Sequence, residues 1–151
     1  MNAKHAPGAT SSVNIDRTFA TSKGRLWQMF TNPEDIAVWA CGDWYDHITI
    51  DVDLRVGGVI HHRVTSRADG SPWTFHGAYH DVIADERLSY SFDWKTDWRD
   101  DFTPSMVTID FSETADGRAA IRVAHAGMPP EGADSTRAHW GNFLDALEAA
   151  L

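Results

Sequence analysis

The closing stretch Asp134–Leu151, DSTRAHWGNFLDALEAAL, constrains the fold more than any other part of the chain. Trp140, Phe143, Leu144, Leu147 and Leu151 recur at three- and four-residue steps and share one helical face, while Asn142, Asp145 and Glu148 look outward. The spacing predicts a long helix, with Asp134 or Ser135 capping its first amides. A helix with one apolar face needs an apolar partner, and nearly everything before it reads as strand. A curved antiparallel sheet with the helix across its concave face is the simplest way to cover both surfaces. Large aromatic side chains between the two layers would either fill that space or line a cavity.

Ser12–Ala20 alternates, with Val13, Ile15, Arg17 and Phe19 on one face, as a first strand does. Thr21 or Ser22 then caps a helix through KGRLWQMF, with Leu26, Trp27 and Phe30 as its apolar side. Asn32 caps a shorter one, PEDIAVW, with Pro33 in its first turn. Tyr45–Leu54 is a half-solvated strand with Ile48, Ile50, Val52 and Leu54 on one face. Turns at Gly57-Gly58, Ala68-Asp69-Gly70, Ala84-Asp85-Glu86 and ETADG separate VIHHRVTS, SPWTFHGAYHDV, RLSYSFDW, SMVTIDFS and RAAIRVAHA. The expected order is strand, two short helices, six strands, long helix. This is an α+β fold in which a seven-stranded antiparallel sheet grips the C-terminal helix. Residues 1–11 are expected to form a flexible tail and residues 12–151 a single domain.

At 151 residues and 16.8 kDa the chain can bury a core without covalent staples. Cys41 is its only cysteine, which excludes an internal disulfide and a Cys-based zinc knuckle. Twenty-two acidic against thirteen basic residues give a formal charge of −9, which repels phosphate backbones and anionic membrane surfaces. No window approaches the roughly 18 apolar residues of a membrane span. These features predict a cytoplasmic protein that neither binds nucleic acid nor inserts into membranes, with a homodimer left open. There is no GxxxxGK[ST], GxGxxG or HExxH pattern, and no cofactor is expected.

The pieces RTFATSKGRLWQMFTNPEDIAVW, DLRVGGVI, FHGAYHDVIADERLSYSF, VTIDFSETADGRAAIRVAHAGMP and HWGNFLDALEAAL, in this order and spacing, resemble the Bet v 1-like, or START-like (SRPBCC, polyketide cyclase/dehydrase-like), superfamily. Within it they resemble the branch of Hsp90 ATPase activator homologues. The likeness runs from Ile15 onward and departs at two places. The closing helix of that family commonly begins Gly-Trp, whereas here Trp140 precedes Gly141, which turns the ring by roughly 200° about the helix. AVWACGDWYDH replaces a proline-containing loop rich in tryptophan. The resemblance implies a helix-grip fold and a hydrophobic or aromatic small molecule held between sheet and helix. Some relatives are cyclases or aromatases, some carry or sequester ligands, and one branch supplies a domain to a co-chaperone. A full-length co-chaperone would carry a further domain for which this chain has no room.

Seven tryptophans in so short a chain point to core packing or to an aromatic pocket. Trp39, Trp73, Trp94, Trp98 and Trp140 fall where strand ends, the short helices and the last helix would converge, and are the expected ligand-binding rings, with His76 and His125 supplying polarity. His61 and His62 are adjacent in a strand and point to opposite faces, and His76 and His80 are separated by about 13 Å, too far to share one zinc ion. A bulge, or a cross-strand meeting with His61 or His125, would change that geometry; otherwise no metal is expected. His76, His125, Asp93 and Asp110 are the candidates for proton transfer, and alternation leaves open which of them face inward. The leading expectation is binding, sequestration or transport of the ligand. A cyclase-, dehydratase- or hydrolase-type enzyme using a pocket histidine and a chaperone-regulator domain are the alternatives.

Overall fold

A computed structural model describes residues 11–40, 45–95, 105–128 and 130–151, with the side chains of 93–95 excepted. Its elements are β1 (Ser11–Phe19), α1 (Lys23–Thr31), α2 (Pro33–Ala40), β2 (Tyr45–Val52), β3 (Val59–Ser66), β4 (Pro72–Ile83), β5 (Arg87–Lys95), β6 (Ser105–Glu113), β7 (Ala119–Met128) and α3 (Ala133–Ala149). All seven strands form one antiparallel sheet in the order β1-β7-β6-β5-β4-β3-β2. Each strand after the first helix pair lies beside its sequence neighbour, and β1 closes the far edge against β7. The tail expected over residues 1–11 lies outside the described residues except for Ser11, which already belongs to β1.

Alternation sorts the two faces. Val13 and Phe19 of β1, Ile60 and Val64 of β3, Phe75 and Tyr79 of β4, Leu88 and Tyr90 of β5, Val107, Ile109 and Phe111 of β6, and Ile121 and Val123 of β7 are all buried. The opposite phase carries the charges. Arg122 pairs with Asp16 and Arg87 with Asp110, both across neighbouring strands and in solvent. Exposed pairs of this kind are worth about 0–1 kcal/mol, so burial on the other face holds the sheet together.

The buried face receives α3, whose Trp140, Leu144 and Leu147 are at most 3% exposed. Phe143 is half-buried. Arg17, on the inward phase of β1, reaches out to Asp145 at 2.7 Å and Glu148 at 2.6 Å and pins the helix over that edge. The two short helices close one end. Ser22 accepts the Arg25 amide as the α1 cap, Asn32 Oδ1 accepts from the Glu34 amide at the start of α2, and Arg25 pairs with Asp35 between the helices.

Three details differ from the expectations. A 3-10 turn at Pro130–Gly132 runs straight into α3 with Gly132 in helical geometry, so neither Asp134 nor Ser135 caps; both sit inside the first turn. The helix ends at Ala149, and Leu151, 42% exposed, falls off the apolar stripe. Leu54 lies beyond β2 because the chain turns between Asp53 and Gly58. A Cβ on Gly58 would lie 2.0 Å from the Asp53 carbonyl oxygen. Gly77 is just as restricted: a Cβ there would stand 2.0 Å from the Ser91 carbonyl oxygen and 2.9 Å from the Ile60 side chain. β4 and β5 approach too closely at this point for any side chain, beside the register shift between Tyr79 and Asp81. No helix among the described residues is long and apolar enough to cross a membrane.

Candidate functional site

A small cavity of about 30 Å³ lies between α2, α3 and the β2–β5 half of the sheet. Trp39, Tyr45, His62, Phe75, Phe92 and Phe143 are among its walls, with Ala40, Val64, Tyr90 and Trp140 completing them. At roughly 10–15 Å³ per water position, this volume holds about two waters and no aromatic ring. The rings around it form a continuous cluster. Trp39 stacks on Trp140 at 6.4 Å, Phe143 meets both edgewise at 5.7 and 6.1 Å, and Phe30 ties Trp39 to Phe111. Phe75 and Phe92 approach to 3.6 Å between ring centroids on the opposite wall.

Trp39 is fixed by donating its indole N–H to the Met29 carbonyl at 2.7 Å. Trp140 donates its own to Nδ1 of His125 at 3.1 Å, and Nε2 of His125 lies 2.7 Å from Ser105 Oγ, which in turn reaches the Phe92 carbonyl at 3.1 Å. The tautomer follows from this chain. Indole can only donate, so Nδ1 is the lone pair and Nε2 carries the proton that Ser105 accepts, leaving the serine hydroxyl to donate to Phe92. Burial pushes the His125 pKa down to about 4, so the ring is neutral near pH 7. With its lone pair held by Trp140, His125 is a structural joint between β7, β6 and α3 and offers no free base.

His62 is the inward-facing histidine that sequence reasoning passed over. It pairs in register with Phe75 and contacts that ring at 4.8 Å. Part of the residue reaches the surface, but Nε2 is shut off from solvent and has no hydrogen-bond partner among the described residues. Desolvation, with a smaller contribution from His61, pushes its pKa down to about 3. The hydroxyl of Tyr79 is likewise buried without a partner, and burial raises the pKa of both Tyr79 and Tyr90.

The remaining candidates divide. Trp39 and Trp140 line the cavity, and His125 stands behind Trp140. Trp73 pairs with Val64 on the inward phase but lies outside the lining, its indole N–H donating to Ser71 Oγ at 3.2 Å. His76 is on the other face of the sheet, paired with His61 and in contact with its ring, so the cross-strand meeting occurs away from the cavity. Trp94 is paired in register with Phe75, its side chain lying outside the described residues, as do Trp98 and Cys41. Asp110 is turned to Arg87 on the outer face. Among the described residues no three His, Cys, Asp or Glu side chains assemble as a metal site.

The fold recurs in solved structures. Protein CV1439 from Chromobacterium violaceum superposes with a TM-score of 0.77 at 22% identity, covering 91% of this chain and 95% of that one. Protein Ms6760 from Mycobacterium smegmatis gives 0.78 at 19%, covering 93% and 90%. Protein NE0264 from Nitrosomonas europaea gives 0.75 at 18%, covering 99% and 95%. At these identities the likeness is one of fold. No curated protein matches the sequence. Residues 20–151, however, match the family described as Activator of Hsp90 ATPase homolog 1-like protein across both short helices, the six strands β2–β7 and α3, and the chain belongs to that family.

Proposed function

We propose that the protein binds, sequesters or transports a hydrophobic or aromatic small molecule in the space between the β2–β5 half of the sheet and α3. The observation that carries this reading is the wall itself: seven aromatic rings, and an imidazole whose Nε2 has no partner among the described residues, surround one apolar space. A core evolved only for packing would fill that space with aliphatic side chains and leave no polar atom unpaired. The cavity is smaller than the ligand it is proposed to take, so binding requires rings to yield. Tyr45, Phe92 and Phe143 are the half-buried rings of that wall, less enclosed than Trp39, Phe75, Tyr90 and Trp140.

A carrier stands ahead of a cyclase-, dehydratase- or hydrolase-type enzyme because the described lining contains no carboxylate to partner a histidine, and His125 has its base nitrogen occupied. The test is a paired thermal-shift and tryptophan-fluorescence titration of the whole chain with planar apolar aromatics. Saturable quenching of Trp39 and Trp140, together with stabilisation of about 2.7 kcal/mol at one hundred times Kd, is the expected result. Absence of both signals for the neutral naphthalene-sized compounds used below would contradict the proposal.

A further inference from the structure

We infer that the cavity selects a neutral aromatic molecule bearing a hydroxyl group, a phenol or aromatic alcohol, whose hydroxyl meets Nε2 of His62. This rests on the reading of the cavity as a ligand site and specifies its ligand. The argument begins with charge. None of the described residues lining the cavity is Lys, Arg, Asp or Glu. The His62 imidazole is neutral in its buried setting, so an ionised carboxylate or ammonium would enter without a counter-charge. Next come the polar atoms of the wall. The indole N–H groups of Trp39 and Trp140 already donate to Met29 and His125 and face away from a newcomer's needs. His62, by contrast, lines the cavity, and its Nε2 is buried with no partner among the described residues.

A neutral imidazole presents either an N–H or a lone pair at Nε2, depending on its tautomer. A hydroxyl serves both cases, because it donates and accepts, whereas a carbonyl or ether oxygen serves only one. The aromatic remainder of the ligand is set by the wall, where Trp39, Phe75, Phe92 and Phe143 offer faces and edges to a planar body. The ligand class therefore combines one planar apolar body with one hydroxyl at the β3 side of the cavity.

Isothermal titration of the full chain at pH 7 with 2-naphthol, 2-methylnaphthalene and 2-naphthoate separates the claims, since hydroxyl and methyl are nearly isosteric. The naphthol is expected to bind about tenfold tighter than the methyl compound, the worth of one buried hydrogen bond, and the naphthoate not to saturate. In His62→Leu the naphthol's advantage should shrink to about twofold or less, and in His62→Gln, which keeps a donor and an acceptor, it should largely persist. Should His62→Leu lack a cooperative melt, the imidazole nitrogen resonances of the unmutated, nitrogen-15-labelled protein decide: Nε2 of His62 should shift with naphthol and stay put with methylnaphthalene. Equal binding of the two neutral compounds would overturn the hydroxyl claim and leave the cavity reading standing. Tightest binding by naphthoate would overturn neutrality, unchanged selectivity in His62→Leu would overturn the role of His62, and no binding of either neutral compound would overturn the cavity reading together with the inference.

Discussion

Among the described residues two histidines of the sheet face its concave side, and they differ in what the protein gives them. His125 receives the Trp140 indole on one nitrogen and meets Ser105 with the other, so every polar atom in that chain of contacts is satisfied. His62, across the cavity on β3, has an Nε2 that no hydrogen-bonding group among the described residues reaches. Both rings are held neutral by burial. The contrast teaches that burial and low basicity do not by themselves mark a functional group. A closed hydrogen-bond chain is how a fold fixes a helix on a sheet, while a buried nitrogen left open beside a cavity is where the proposed ligand would find its polar partner.

The largest effect expected on this comparison removes the roof shared by both ends. Deleting Ala138–Leu151 takes away Trp140, Leu144 and Leu147, each worth roughly 1.5–3 kcal/mol when fully buried, and orphans His125 as well. Against a typical domain stability of about 5–15 kcal/mol, loss of the cooperative thermal transition is the outcome, read by circular dichroism. A truncated chain melting near the intact temperature would break the helix-grip account.

Next is His125→Leu, which leaves the Trp140 N–H buried without an acceptor. Urea unfolding should show destabilisation of about 2–4 kcal/mol with no change in naphthol selectivity. The pH dependence is smaller. Because both folded-state values lie near 3 and 4, below the ordinary 6.5 or so of the unfolded chain, the unfolded state binds more protons in that interval. Stability is therefore full above about pH 6.5 and falls as pH drops toward 4, by about 2 kcal/mol for the pair over the first unit. Urea titrations at stepped pH should recover this slope, and His62→Leu should remove about half of it. Smallest is the effect of His62→Leu on stability at pH 7, within about 1 kcal/mol of the unmutated protein, since an unpaired polar atom is exchanged for an apolar one of similar size. A loss as large as that of His125→Leu would erase the distinction between the two ends.

The architecture was legible because each element carried its own period. β1, β6 and β7 alternate cleanly, Ser22 and Asn32 mark their helices, and Trp140, Phe143, Leu144 and Leu147 trace the α3 stripe. The helix ends were harder, since whether a 3-10 turn precedes α3 depends on how residues 130–132 pack and not on a capping side chain. Of the cavity and its surround, Trp39, Trp140 and His125 were visible as aromatic or ionisable residues near converging ends. His76 was misplaced because both phases of WTFHGAYHDV carry rings or imidazoles; the register with β3 puts Phe75 opposite His62 and His76 opposite His61 on the outer face. His62 had a readable signal after all. In VIHHRV it is flanked two residues away by Ile60 and Val64, both buried, while His61 is flanked by Val59 and Arg63, both exposed. What alternation alone does not disclose is that Nε2 would end without a partner, which depends on which side chains three other elements bring to that wall.

The most direct test of the proposed ligand site is a set of intermolecular nuclear Overhauser effects between 2-naphthol and the carbon-13-labelled protein. Contacts to the Trp39 and Phe143 rings and to the His62 imidazole are predicted, with none to His61 or His76 on the outer face. Saturable binding whose contacts fall instead on exposed Val56 and Val59, or on the outer histidines, with none to the rings that line the cavity, would contradict it.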